Sequence, residues 1–204
     1  FKKGVPWDGI VAELVSAMPV RNKAKKKDKN DWSQKTGQNN FVLAYENKPA
    51  LLAAQTARLF MGISIQCAEC HDHPFDNWKR EQFHELAAFF SKGKYYMPNL
   101  DPPSKKTEMQ PKFLLGEKPP IKLTTHQRRV AIAAYLVYNQ DNYWFARSFV
   151  NRIWSELVGD GFYAIDSLGP DQECLHPSVV NRIAAVFRYR NFDPRWVFPL
   201  LMNS

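Results

Sequence analysis

Two of the three cysteines and two of the five histidines of this 204-residue chain fall within seven consecutive positions, Cys67-Ala-Glu-Cys70-His71-Asp-His73. Cys-x-x-Cys-His is the spacing of covalent c-type haem attachment. On a helical turn, Cys67 and Cys70 share a face at i and i+3, where their sulfurs can bond the two vinyl groups on one porphyrin edge. His71 projects from the same face as the proximal iron ligand. At the chain's own Cys and His frequencies such a pentad arises by chance about once in a thousand sequences of this length, so the match is informative. His73 lies two residues further round and points away from that face, and Pro74 disfavours helix at His73.

The same residues admit other chemistry. Zinc takes Cys-x-x-Cys, with a second half-site that would have to come from His73 and the distant Cys174 or His176, although adjacent Cys70 and His71 chelate one ion poorly. A thioredoxin-like dithiol calls for a strand-to-helix setting that the flanking helical pattern lacks, and a Cys67–Cys70 disulfide leaves the histidines without a role.

If a haem is held, its sixth iron position decides between electron transfer and peroxide or small-molecule chemistry. The candidates are His176, His126, His84, Met61, Met97 and Met109. We expect His176 as the distal ligand, against the plainer role of a ring capping the helix that Pro177 opens. His84 and His126 read as surface residues and Met61 as core packing. Arg147 and Arg152, with Asn151 and Trp154 on the same helix, suit haem propionates through their guanidinium forks; the competing role is ion pairing with Asp166 or Asp171. Asp72 and Asp76 either orient the His73 ring or cap the next turn. There is no Ser-His-Asp signature, P-loop or Gly-rich dinucleotide fingerprint.

The elements that must carry these residues read as helices. The chain is 45% hydrophobic, with fourteen Phe and six Trp to fill a core, and has no apolar run long enough to span a membrane. Helical patterns cover "WDGIVAELVSAM", "KPALLAAQTARLFMGI" with Leu52, Thr56, Leu59 and Ile63 on one face, and "WKREQFHELAAFF" with Phe83, Leu86, Ala87 and Phe90 inward. Thr124 and Gln127 form a capping box ahead of Val130, Ala133, Ala134 and Val137. Asp141 or Asn142 caps "YWFARSFVNRIWSELV", Pro177 opens "SVVNRIAAVFRYR", and a last helix starts at Asp193-Pro194 and is interrupted by Pro199. The fold class is mainly α, an irregular helical cytochrome-c-like module with long Pro/Lys-rich loops. The expected organisation is a haem-attachment domain over 1–91, a linker over 92–123 and a helical partner domain over 124–204. The net charge of +8 points to anionic partners. Part of it sits in "RNKAKKKDKNDWSQKTGQNN", a solvated loop whose Lys25, Lys26 and Lys27 can engage an anionic polymer.

"FMGISIQCAECHDHPFDNWKREQFHELAAFF" (60–90) closely resembles the planctomycete-type cytochrome-c-like domain of unknown function, with its G-x-x-x-x-C-A-x-C-H-D-H-P-F-D-x-W stretch and Phe-rich helix. Residues 142–201 resemble the start of that family's usual planctomycete-specific partner domain, through N-x-x-F-A-R-x-x-V-N-R-x-W, a G-x-G and an HP before a helix. Cys174 and Leu175 depart from the partner pattern. The shorter spacing between the blocks marks a shortened relative or a fragment. The resemblance implies haem c, export to the periplasm, the cell surface or beyond, and association with a redox partner or a larger cytochrome assembly. The expected function is extracytoplasmic electron transfer by one covalent haem. The alternatives are a zinc-stabilised, non-enzymatic module that binds an anionic polymer and a haem peroxidase-like enzyme.

Overall fold

A computed structural model describes residues 4–19, 37–99, 106–120 and 122–203; Lys25, Lys26 and Lys27 lie outside them. Among the described residues there are eight α-helices and one two-stranded ribbon, so the fold is mainly helical, as the periodicity predicts. Among the described residues no helix is long and apolar enough to cross a membrane.

Pro6 precedes α1 (Trp7–Ser16), which buries Val11 and Val15 one turn apart. The helices α2 (Gly37–Ala44) and α3 (Pro49–Thr56) follow, the latter opened by a proline that needs no hydrogen-bond acceptor in the first turn. The chain continues from α3 as a π-helical turn, Ala57–Met61, and stops at Gly62, whose φ of 67° is left-handed. A Cβ there would approach Leu168 Cδ1 to 2.9 Å, so backbone angle and space both demand glycine. A short 3₁₀ helix, Gln66–Glu69, leads to α4 (Arg80–Ala88).

The Pro/Lys-rich middle of the chain holds β1 (Tyr95–Met97) paired antiparallel with β2 (Thr107–Met109), and it buries Phe113 and Leu114. Three-residue strands are too short for alternation to be read from sequence. The capping box forms as predicted at the start of α5 (Thr125–Tyr138): Gln127 N–H donates to Thr124 Oγ1 (3.3 Å), and Thr124 N–H donates to Gln127 Oε1 (2.9 Å). The buried face of α5 is shifted from the expected one. Arg129, Ile132, Ala133, Leu136 and Val137 point inward and Val130 is 46% exposed. Arg129 explains the shift: its guanidinium donates to Ala17 O (2.7 Å) and to Asn47 Oδ1, and lies over the Phe90 ring. It thereby ties α5 to the end of α1 and to the α2–α3 turn. Burial pushes its pKa down to about 10, which leaves it charged at neutral pH.

The remaining helices are α6 (Tyr143–Val158), α7 (Pro177–Tyr189) and α8 (Pro194–Met202). Two expectations about their ends fail. Asn142 gives α6 no side-chain cap, because its Nδ2 donates instead to Leu136 O (2.7 Å), and α8 runs through Pro199 rather than breaking there. The buried side chains of 1–91 and 124–204 form one cluster. An aromatic seam crosses it: Phe149 stacks on Phe187 (4.7 Å, 12°) and meets Trp7 at 5.1 Å. Each such ring buried contributes on the order of 2 kcal/mol, so the seam strongly favours keeping α1, α6 and α7 together.

Candidate functional site

The 3₁₀ turn Gln66–Glu69 sorts the motif by side. Ile65 and Ala68 face the core at 1% and 0% exposure, so Cys67 and Cys70 are turned outward as free, exposed thiols. His71 follows, also exposed. Its Nδ1 lies 2.7 Å from Asp72 O, and a carbonyl only accepts, so Nδ1 carries the proton and the Nε2 lone pair is left to face a ligand. That is the state of an imidazole prepared for a metal, with one nitrogen fixed by a backbone carbonyl.

The neighbouring histidines are spent on the fold. Phe75 N–H donates to His73 Nδ1 (3.3 Å), which makes Nε2 the donor to Ser64 O (3.0 Å). The separation of His73 from His71 thus follows the sequence reading. His84 does not: expected at the surface, it is fully buried. Its Nε2 donates to Glu69 O (3.0 Å) and its Nδ1 accepts from the Tyr95 hydroxyl (3.0 Å). Burial lowers the His84 pKa and pushes that of Tyr95 up to about 12, so both groups are neutral at pH 7. Arg80 Nε donates to the same Glu69 carbonyl (3.3 Å). Glu69, one of the two residues between the cysteines, is therefore gripped from beneath by two donors on α4.

The acidic residues brace this arrangement. Asp72 accepts from the backbone N–H of Arg80 (3.0 Å) and from Lys79 Nζ (2.9 Å), and these bonds, the backbone one first, hold its carboxyl below the usual range. Asp76 accepts from Asn77 N–H (2.9 Å) and Trp78 Nε1 (3.1 Å). Neither touches the His73 ring; both fix the loop into α4.

A loop of the second half clasps this one. Leu168 N–H donates to Gly62 O (2.8 Å) beside a bridge between Ile63 and Ser167. Gln172 Nε2 donates to Phe75 O (3.1 Å), Asn77 Nδ2 to Asp171, and a Cβ on Gly169 would overlap the Asp76 carboxylate. Of residues 167–172 the sequence reading named only Asp171, as a partner for the α6 arginines; it bonds Asn77 instead. The clasp as a whole was not foreseen, because its partners lie about a hundred positions away and only packing reveals them.

Residues 1–95 match the family model PSCyt2, a protein of unknown function (DUF1549), and residues 128–204 match PSD1, a protein of unknown function (DUF1553). The pairing is PSCyt2 followed by PSD1. No curated protein and no solved structure matches the chain. The clasp is thus a contact between the PSCyt2 region, which carries the Cys/His motif, and the PSD1 region.

Within the PSD1 region the other predicted site residues go to separate places. Arg152 ion-pairs with Asp166 and donates to Arg58 O (2.9 Å), and Arg58 Nε reaches the same carboxylate at 2.7 Å. Arg147 stands over the Tyr143 ring, 5.3 Å from its centroid, in a groove beside α7. His176 is exposed at the start of α7 and its ring makes no cap. The clasp reaches the motif loop through Gly169, Asp171 and Gln172. Of the other distal candidates, Met61 is core and His126 is exposed.

The donor set suits haem c. Two exposed thiols on one turn and one imidazole with a free Nε2 are what covalent haem attachment takes from a protein. Among the described residues no group of three or more His, Cys, Asp or Glu side chains could hold a metal ion, and a closed zinc site takes four ligands.

Proposed function

We propose that this chain is a c-type cytochrome module that works in electron transfer outside the cytoplasm, in which Cys67 and Cys70 would hold haem c and His71 would ligate its iron. One observation carries the reading. Of the three histidines around the motif, His71 alone keeps a free ring nitrogen, and it does so beside two exposed thiols. When bound, the haem supplies a one-electron couple. The chain's own part is to present the ligands. Ala68 anchors the turn, the Glu69 carbonyl is held from α4, and the Asp72 carbonyl sets the His71 tautomer. Cys67 and Cys70 would supply the two thiols that hold it covalently. The extracytoplasmic setting rests on the resemblance to exported cytochrome-like proteins.

The test is expression of the chain with an export signal in a host that matures c-type cytochromes. The expected result is a pyridine haemochrome spectrum, an intact mass raised by one haem, and iron at one per chain. An unmodified mass, or stoichiometric zinc, overturns the reading. Rapid cyanide binding by a high-spin iron would turn it toward peroxidase chemistry.

A further inference from the structure

Between α6 and α7 runs a groove of about 570 Å³, within the range of small-ligand sites. It exists because the facing positions Ala146, Ala184 and Ala185 are small. Its rims are cationic. Arg147 of α6 and Arg188 of α7 both stand over Tyr143, with guanidinium carbons 5.3 and 5.9 Å from the ring centroid. Among the described residues neither is ion-paired. Two like charges on one ring repel, and Asp141 is the single carboxylate lining the groove to offset them.

The two arginines differ in how they are held. Arg188 donates to Gln140 O (3.0 Å) and Asn139 O (3.2 Å), which fixes it at the end of α5. Arg147 is half-buried and makes no hydrogen bond among the described residues, so its donor fork is open. A guanidinium fork matches a planar carboxylate through two parallel hydrogen bonds. Asn181 and Gln140 add amide groups that both donate and accept, as hydroxyl groups require.

We infer that this groove is a binding site for a small hydroxylated carboxylate of sugar-acid size, with its carboxylate on Arg147 and its hydroxyls toward Asn181 and Gln140.

The experiment is calorimetric titration of the full chain with glucuronate, glucose 6-sulfate and glucose. Saturable glucuronate binding is expected, weaker binding of the sulfate and none of glucose. Arg147→Gln weakens glucuronate binding about tenfold or more, the worth of one charge-assisted pair, and Arg147→Lys does not restore it. Asn181→Asp, at an exposed α7 position, weakens it as well through charge repulsion, which keeps the test open if the arginine variant folds poorly. No saturation by about 10 mM glucuronate, a Kd scale where specific contacts are negligible, overturns the inference. So does equal affinity for glucose, wild-type affinity in a folded Arg147→Gln chain, or tighter binding of the sulfate.

Discussion

The Nε2–H of His84 donates to the carbonyl of Glu69 across 3.0 Å, so a fully buried ring on α4 holds the residue just before Cys70, within the Cys67–Cys70 turn. The Tyr95 hydroxyl supplies the second hydrogen bond, and burial is what favours the neutral ring over the charged one.

A pH dependence follows from that neutrality. In the unfolded chain His84 takes up its proton near 6.5; burial lowers the value in the folded chain. The unfolded state binds more protons between the two values, so stability is full above about 6.5 and is lost as pH falls through the folded value. Urea midpoints measured from about pH 7.5 down to about pH 5 should fall more steeply for the wild type than for His84→Gln. Parallel curves would refute this. His84→Ala should cost about 2–4 kcal/mol at neutral pH, from the cavity and the two lost bonds.

Asp166 joins two arginines, and its φ of 63° is left-handed. Asp166→Ala leaves both guanidinium groups without their carboxylate and puts a β-carbon residue into a conformation that Asp and Asn tolerate better. A loss of about 2–4 kcal/mol is expected for alanine and a smaller one for Asp166→Asn, measured by denaturant unfolding. Equal losses in the two variants would show that the backbone contributes nothing.

Gly169 packs directly on Asp76. Gly169→Ala must displace that carboxylate, which also frees the indole N–H of the buried Trp78. The expected cost is about 1–3 kcal/mol, with a change in Trp fluorescence. A variant with wild-type stability and emission would mean that the loop yields without strain.

Cys67 and Cys70 are exposed and bonded to nothing in the fold. Replacing both by alanine should change the stability of the haem-free chain by less than about 0.5 kcal/mol, while abolishing covalent haem in the maturation host. A large drop in melting temperature would instead assign the thiols a structural role.

The sequence by itself determined what short-range rules govern. Thr124 and Gln127 cap α5, Pro177 opens α7, α6 runs over the predicted 143–158, and the Cys-x-x-Cys-His cluster is contiguous, so its residues share a turn wherever the fold places it. Each of these depends on side chains within about one turn of each other. Tertiary structure decided the rest: that His84 turns inward under Glu69, that Asp166 takes up both Arg58 and Arg152, and that residues 167–172 clasp the motif loop. His84 follows Phe83 at the border of the apolar stripe of α4, where helical periodicity is neutral about burial. The Arg58–Asp166 pair spans 108 positions and Phe75–Gln172 spans 97. Pairings at that distance are set by how α3, α4 and α6 pack, and local sequence holds no record of it.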